Sequence, residues 1–278
     1  MTETGIIYIA TGPRHLQEAI DSAQSVMRVM PETPLTLFTD DVSAAQDPPR
    51  PFHSAVLLRD VTRSCLDKMH ALRETPYERT IMLDTDTYVC ESIADVFEAL
   101  LRFDVTVAYA PNRYPYPVAD CPDAFPEPNT GVIGYRRSDA VWDFLEDWPR
   151  TYADQMTRPE TPRHDQHAFR EALYRSELRF LILPMEYNLR TLAPGFLGNG
   201  ARVKVIHGSV GDVAGSAARL NRSTRYRAVV HSPLRRFSGD LVTMRPALGA
   251  IADRVFEHLP KGLQAKLTRL RHGNAEEA

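Results

Sequence analysis

The chain has 278 residues, of which 43% are hydrophobic and 25% charged, with a formal net charge of −3. That is enough apolar material for one large core; the charge gives no ground for nucleic-acid binding, and no apolar run approaches the roughly 18 residues of a membrane span. The start Met1-Thr2-Glu3-Thr4 lacks the basic residues and long apolar stretch of an export signal, so the expected compartment is the cytoplasm. Cys65, Cys90 and Cys121 show no C-x-x-C spacing and read as reduced thiols. In chain order, Ile6-Ile7-Tyr8-Ile9-Ala10 reads as a buried strand that stops at Thr11-Gly12-Pro13. Leu16 to Val29 carries a helical period with Leu16, Ile20, Ala23 and Met27 on one face. Leu35 to Asp40 is a second strand with an acidic end, and Ser54 to Leu58 a short third.

Ser64 to Arg73 reads as a helix, followed by the strand that ends at Asp84 and by a helix over Ile93 to Leu101. Val105 to Tyr109 continues the sheet. Six prolines between 111 and 128 exclude a regular element and predict a loop, placed over the crevice at the strand ends. Asn129 to Tyr135 is a further strand. Ser138-Asp139 opens a helix with Val141, Phe144, Leu145 and Trp148 inside, and another helix runs from Pro162 through Tyr174. Phe180 to Leu183 and Val203 to Ile206 are the last strands. Strands alternating with helices predict an α/β protein, with a mostly parallel Rossmann-like sheet covered on both faces and ligands at the carboxyl ends of its strands. Thr11, Asp40, Asp84 and Asp86 are then expected along one crevice.

The run Ile81-Met82-Leu83-Asp84-Thr85-Asp86-Thr87-Tyr88-Val89 is the most informative stretch. Residues at i and i+2 of a strand point to one side, so Asp84 and Asp86 can converge on a cation. Hard cations that bridge phosphate oxygens are held by such carboxylates and few other protein ligands. Taken alone, the pair reads first as a buried strand that ends in a polar turn.

The order of motifs resembles the nucleotide-sugar glycosyltransferases of the A fold, and among them family 8, which is glycogenin-like and lipopolysaccharide-galactosyltransferase-like. The resemblance spans residues 6 to 208: the opening strand, Lys68, the D-x-D strand, Asn129-Thr130-Gly131, Asp165-Gln166, Tyr187-Asn188 and His207-Gly208. It implies a metal site at Asp84, Asp86 and His207, filled by manganese or, second, magnesium. It implies donor contacts from Ala10, Thr11, Lys68, Asp84, Asn129, Thr130, Gly131 and Gly208, with Asn188 near the acceptor side. Asp165 and Gln166 are expected beneath the reacting carbon, Asp165 being also a competent N-cap. The implied reaction moves a sugar from a nucleotide sugar, first of all a UDP-sugar, to a glycan, lipid or protein acceptor with retention of configuration.

The chain departs from the family after His207-Gly208, where Ser209-Val210-Gly211-Asp212 replaces a lysine-proline-tryptophan group whose lysine binds donor phosphate. Arg219, Arg222 and Arg225 are candidates to replace it. The expected organisation is a catalytic domain over 1–218 and a basic, helical extension over 219–278. From Arg219 to His272 the extension holds twelve lysines and arginines against three acidic residues. Ile251, Val255, Leu259, Leu263, Leu267 and Leu270 recur there at near-helical spacing. Such a segment packs on the sheet or lies on the inner face of an anionic membrane. Two rival functions stay open from sequence: a haloacid-dehalogenase-type phosphatase, and a non-catalytic scaffold that binds sugar nucleotides.

Overall fold

The computed structural model describes residues 2–43, 51–111, 118, 120–158, 164–191, 195–198, 200–208 and 212–222, then strands at 228–231 and 242–244 and residues 260, 261 and 263. In chain order the strands and α-helices are β1 (Thr2–Ala10), α1 (Pro13–Val29), β2 (Leu35–Thr39), β3 (Ser54–Leu57), α2 (Cys65–Ala71), β4 (Tyr77–Leu83), β5 (Thr87–Val89), α3 (Asp95–Ala99), β6 (Val105–Tyr109) and β7 (Pro128–Arg136). They continue with α4 (Asp139–Met156), α5 (Asp165–Arg175), β8 (Phe180–Leu183), β9 (Leu189–Arg190), β10 (Gly195–Leu197), β11 (Val205–His207), α6 (Val213–Asn221), β12 (Ala228–His231) and β13 (Val242–Met244).

The central sheet has seven strands in the order β3-β2-β1-β4-β7-β6-β8. All neighbours are parallel except at β7, which is antiparallel to both β4 and β6. The side-chain alternation of each strand divides the core in two. Ile6, Tyr8, Ala10, Ile81 and Leu83 pack toward α1, against Leu16, Ala19, Ala23 and Val26. Ile7, Met82 and Ile133 pack toward α4 and α5, against Phe144, Trp148 and Phe169. Burial on both faces is what writes the continuous apolar runs of these strands. A smaller sheet, β5-β11-β9, crosses the carboxyl end of β4, and a third apolar cluster of Leu189, Leu197, Val203, Ile206, Ala217 and Leu220 lies with it.

Most predicted elements are present, with boundary changes that have local causes. Ser138 caps α4 as expected, its hydroxyl accepting from the Val141 N–H. The helix expected over 93–101 is α-helical only at Asp95–Ala99, because the turns around it close from residue i to i−3, as in Val96 to Ile93 and Leu101 to Glu98. The last predicted strand begins at Val205 rather than Val203. Asn221 takes both backbone groups of Val203 with its side-chain amide and holds that residue out of the ladder. Strands β5, β9 and β10 and helix α6 carry no signal that the sequence reading used. Cys65, Cys90 and Cys121 form no disulfide with one another. Of the proline-rich segment, 112–117 and 119 lie outside the described residues, as does most of the extension with Ile251, Val255, Leu259, Leu267 and Leu270. Leu263 is described and exposed.

Candidate functional site

Asp84 and Asp86 do not sit on a strand. β4 ends at Leu83, and Asp84 to Thr87 form a turn closed by the Thr87 N–H donating to the Asp84 carbonyl at 3.3 Å. The strand alternation that suggested the pair is therefore not what brings the carboxylates together; the turn does. It is held on every side. The Asp84 N–H donates to the Gly131 carbonyl and the Gly208 N–H to the Asp86 carbonyl, both at 2.9 Å. The Thr87 hydroxyl meets the Asp84 carbonyl and the Ser22 hydroxyl of α1, each at 2.8 Å.

β11 brings His207 to this turn, since its antiparallel register with β5 sets His207 opposite Thr87. The imidazole Nε2 lies 3.2 Å from Asp86 Oδ1 and 3.8 Å from Asp84 Oδ2. One ligand atom from each of the three residues falls within 4.8 Å of the others, as a metal site requires. Burial works against the charge on Asp86, but the hydrogen bond and charge of His207, with Lys68 adding, hold its carboxyl below the usual range.

The other imidazole nitrogen is fixed by a chain of buried amides whose direction can be read from its ends. The Gly131 N–H can only donate, so the Asn129 atom it meets at 3.2 Å is the carbonyl oxygen. Asn129 Nδ2 then donates to Gln166 Oε1, and Gln166 Nε2 donates to the Glu127 carboxylate, both at 3.0 Å. Asn188 Nδ2 donates to the same Asn129 oxygen at 2.8 Å, which leaves Asn188 Oδ1 to accept from His207 Nδ1 at 2.9 Å. With a proton kept on Nδ1 by Asn188, His207 turns Nε2 toward the two carboxylates, and Nε2 is the nitrogen that would give up its proton to ligate an ion. Gly131 makes room for this ring: a Cβ there would collide with His207 Cε1 and Nδ1.

Lys68 joins the turn to α5. Its Nζ lies 3.1 Å from Asp84 Oδ1, 2.6 Å from Asp165 Oδ2 and 3.3 Å from the Thr130 carbonyl. Burial disfavours the ammonium, yet Asp165 and Asp84 together outweigh it and raise its pKa above the ordinary lysine value. Asp165 is the first residue of α5 rather than its N-cap. The cap position is His164, which makes no capping bond, and Trp148 Nε1 anchors the Asp165 carbonyl at 3.0 Å. Three carboxylates against one ammonium leave the cluster short of positive charge, which suits a divalent cation.

The structure brings Lys68, Asp84, Asp86, Asn129, Thr130, Gly131, Asp165, Gln166, Asn188, His207 and Gly208 into one region. Asn129, Gln166 and Asn188 are buried and bonded to one another rather than open to solvent, so their direct effect is on His207. Thr11 and Gly12 meet beside the neighbouring strand ends: the Thr11 hydroxyl donates to Asp67 Oδ2 at 3.3 Å and the Gly12 N–H to Asp40 Oδ1 at 2.8 Å. The Ala10 side chain is buried in the core, which leaves only its backbone to meet a ligand. Arg14 is paired with Glu18. The sequence reading missed Glu127, which is buried and also 3.3 Å from Arg170 Nε; an acid flanked by Pro126 and Pro128 just before Asn129 was its only signal. It missed Asp67 as well, which accepts from the Thr62 and Arg63 N–H groups.

No family profile matches this sequence, and no curated protein does. Solved structures do. The chain is similar to the galactosyltransferase LgtC, seen in complex with donor and acceptor sugar analogs, at 12% identity and a TM-score of 0.53, over 78% of this chain and 94% of that one. It is also similar to the glycosyltransferase GlyE of Streptococcus pneumoniae TIGR4, at 12% identity and a TM-score of 0.52, over 76% of this chain and 56% of GlyE. The likeness shows the fold: an α/β architecture with a mostly parallel sheet, shared with glycosyltransferases of the A fold.

Proposed function

We propose that this protein is a divalent-metal-dependent glycosyltransferase that moves a sugar from a nucleoside-diphosphate donor, first of all a UDP-sugar, to a glycan, lipid or protein acceptor. The observation that carries the reading is the Asp84-Asp86-His207 group at the carboxyl end of β4, on a fold shared with glycosyltransferases. Two carboxylates and an imidazole fit manganese better than magnesium. A bound divalent ion supplies positive charge where the departing diphosphate gathers negative charge.

The chain's own residues would do the rest. Asp84, Asp86 and His207 hold the cation, and the amide chain from Glu127 keeps His207 in one tautomer. Ala10 and Thr11 offer the nucleoside side of the crevice, Lys68, Thr130, Gly131 and Gly208 would surround the diphosphate and sugar, and Asn129 and Asn188 would act through His207. Asp165, held by Lys68, would stabilise positive charge at the reacting carbon, and Gln166 would hold the amide chain beside it. The carbon–oxygen bond to the diphosphate breaks with its electron pair on the diphosphate, and the acceptor hydroxyl oxygen bonds the same face while its proton passes to the departing diphosphate oxygen, giving retention. We also propose residues 1–218 as the catalytic domain and 219–278 as a basic extension, a boundary that α6 crosses as far as Asn221 and that the β10–β12 pairing bridges.

A phosphatase of the haloacid-dehalogenase type is disfavoured by the three strands that precede β4 and by the fold's likeness to glycosyltransferases. The test is calorimetry with UDP, GDP and CDP in manganese, followed by turnover of the matching sugar donors. We expect one nucleotide to bind only with metal and Asp86→Ala to weaken it at least about 100-fold, as loss of a metal ligand should. Binding indifferent to both metal and Asp86 would overturn the site. Binding without transfer or slow donor hydrolysis would instead make the protein a scaffold.

A further inference from the structure

We propose that Arg190 is the side chain that receives the donor diphosphate in place of the lysine missing after His207-Gly208. The inference rests on the glycosyltransferase reading above and adds a residue to it. β9 pairs in parallel with β11 so that Arg190 stands opposite His207 and Leu189 opposite Ile206. Cross-strand partners project to the same face, and successive residues to opposite faces. Leu189 and Ile206 enter the third apolar cluster, which leaves His207, Arg190 and, two residues before it, Asn188 on the other face. The Asn188–His207 hydrogen bond confirms that this face is the one turned to the site.

Among the described residues Arg190 has no counter-charge there. Among the described residues no carboxylate pairs with its guanidinium, and Nη1 is buried without a hydrogen-bond acceptor. Leaving a buried charged donor unpaired is costly, and two half-buried arginines of the central sheet are paired: Arg136 with Asp104 and Arg79 with Glu3. A cation kept unpaired beside a metal site is matched by an anion that arrives with the ligand. The planar fork of a guanidinium suits two oxygens of a phosphate. Once a divalent ion has offset the carboxylates of the site, the charge on Arg190 is left for the diphosphate.

The arginines that sequence offered for this role are placed less well. Arg219 lies 3.5 Å from Asp212 Oδ2 and donates to the Ser216 hydroxyl at 2.9 Å. Arg222 is exposed at the end of α6, and Arg225 lies outside the described residues. Arg190 carried no signal in sequence, because the pairing that sets it opposite His207 joins residues 17 apart through a two-residue strand.

The test is calorimetry on the full chain and on Arg190→Ala, Arg190→Met, Arg190→Lys and Asp86→Ala. The probes are manganese alone, the nucleoside diphosphate that the parent binds, and the corresponding nucleoside. We expect Arg190→Ala and Arg190→Met to weaken the diphosphate about tenfold or more, with Arg190→Lys recovering part of the loss. Manganese and nucleoside binding should be unchanged, and the melting temperature of Arg190→Met no lower than the parent's. Parental diphosphate affinity in Arg190→Ala, alongside loss in Asp86→Ala, would overturn the role of Arg190 and leave the glycosyltransferase reading standing. So would a joint fall in stability and manganese affinity in Arg190→Met, which marks a structural residue. If the parent binds no nucleoside diphosphate with manganese, both readings fall together.

Discussion

At Gly131 a single added methyl group would take the space of the His207 imidazole and press on Asn129 Oδ1 as well. The turn backbone cannot yield, because the Gly131 carbonyl is bonded to the Asp84 N–H. Gly131→Ala is therefore expected to cost about 1–3 kcal/mol of stability, the usual range for overpacking, and to push His207 away from Asp86. Urea denaturation reads the first effect and manganese titration the second, for which we expect at least a tenfold loss. Unchanged metal affinity would show that the ring does not ligate. The sequence marked this glycine as a place of close approach, but not what approaches it. His207 lies 76 residues on, and only the sheet of β5, β11 and β9 brings it there.

Among elements, the contact of α5 with the segment before β7 holds the clearest pH dependence. His167 of α5 is buried, 3.8 Å from Glu127, with Arg170 and His164 near. Burial, then the neighbouring His164 and Arg170, push its pKa down to about 4 against an ordinary value of 6.5, with Asp165 opposing. Between those values the unfolded chain binds a proton that the folded chain refuses. The stability linked to His167 is thus complete above about pH 6.5 and is lost as pH falls toward 4. In His167→Gln the melting temperature should fall less steeply over that window than in the parent; equal slopes would assign the loss to other groups. The long elements here were legible because a buried face writes its period into the sequence, as in β1, β4, α1 and α4. The short ones were not. A strand of two or three residues such as β5, β9 or β10 has no period to read, and it exists only through partners far along the chain.

At the scale of the whole molecule, every residue of the proposed site lies between Ala10 and Gly208, while the basic charge gathers beyond Arg219. We expect a chain ending at residue 247 to keep metal-dependent nucleotide binding and to lose sedimentation with anionic vesicles. Equal sedimentation with and without 248–278 would leave packing on the sheet as the remaining expectation for this segment. The order of motifs was enough to anticipate the A fold and the convergence of Asp84, Asp86 and His207. It could not show the links between them. The path from Glu127 through Gln166, Asn129 and Asn188 to His207 joins residues up to 59 positions apart, and polar residues of this kind follow no period. One feature of the sheet bears on how such a protein can diversify. Because β7 runs against its neighbours, the chain enters the site from the proline-rich segment and departs from it through the core, the reverse of the path along β4. Insertions before Pro128 can therefore change the approach to these strand ends while the register of β7, fixed downstream by β4 and β6, stays the same. The reversed strand makes the mouth of the site an editable margin on an unedited frame.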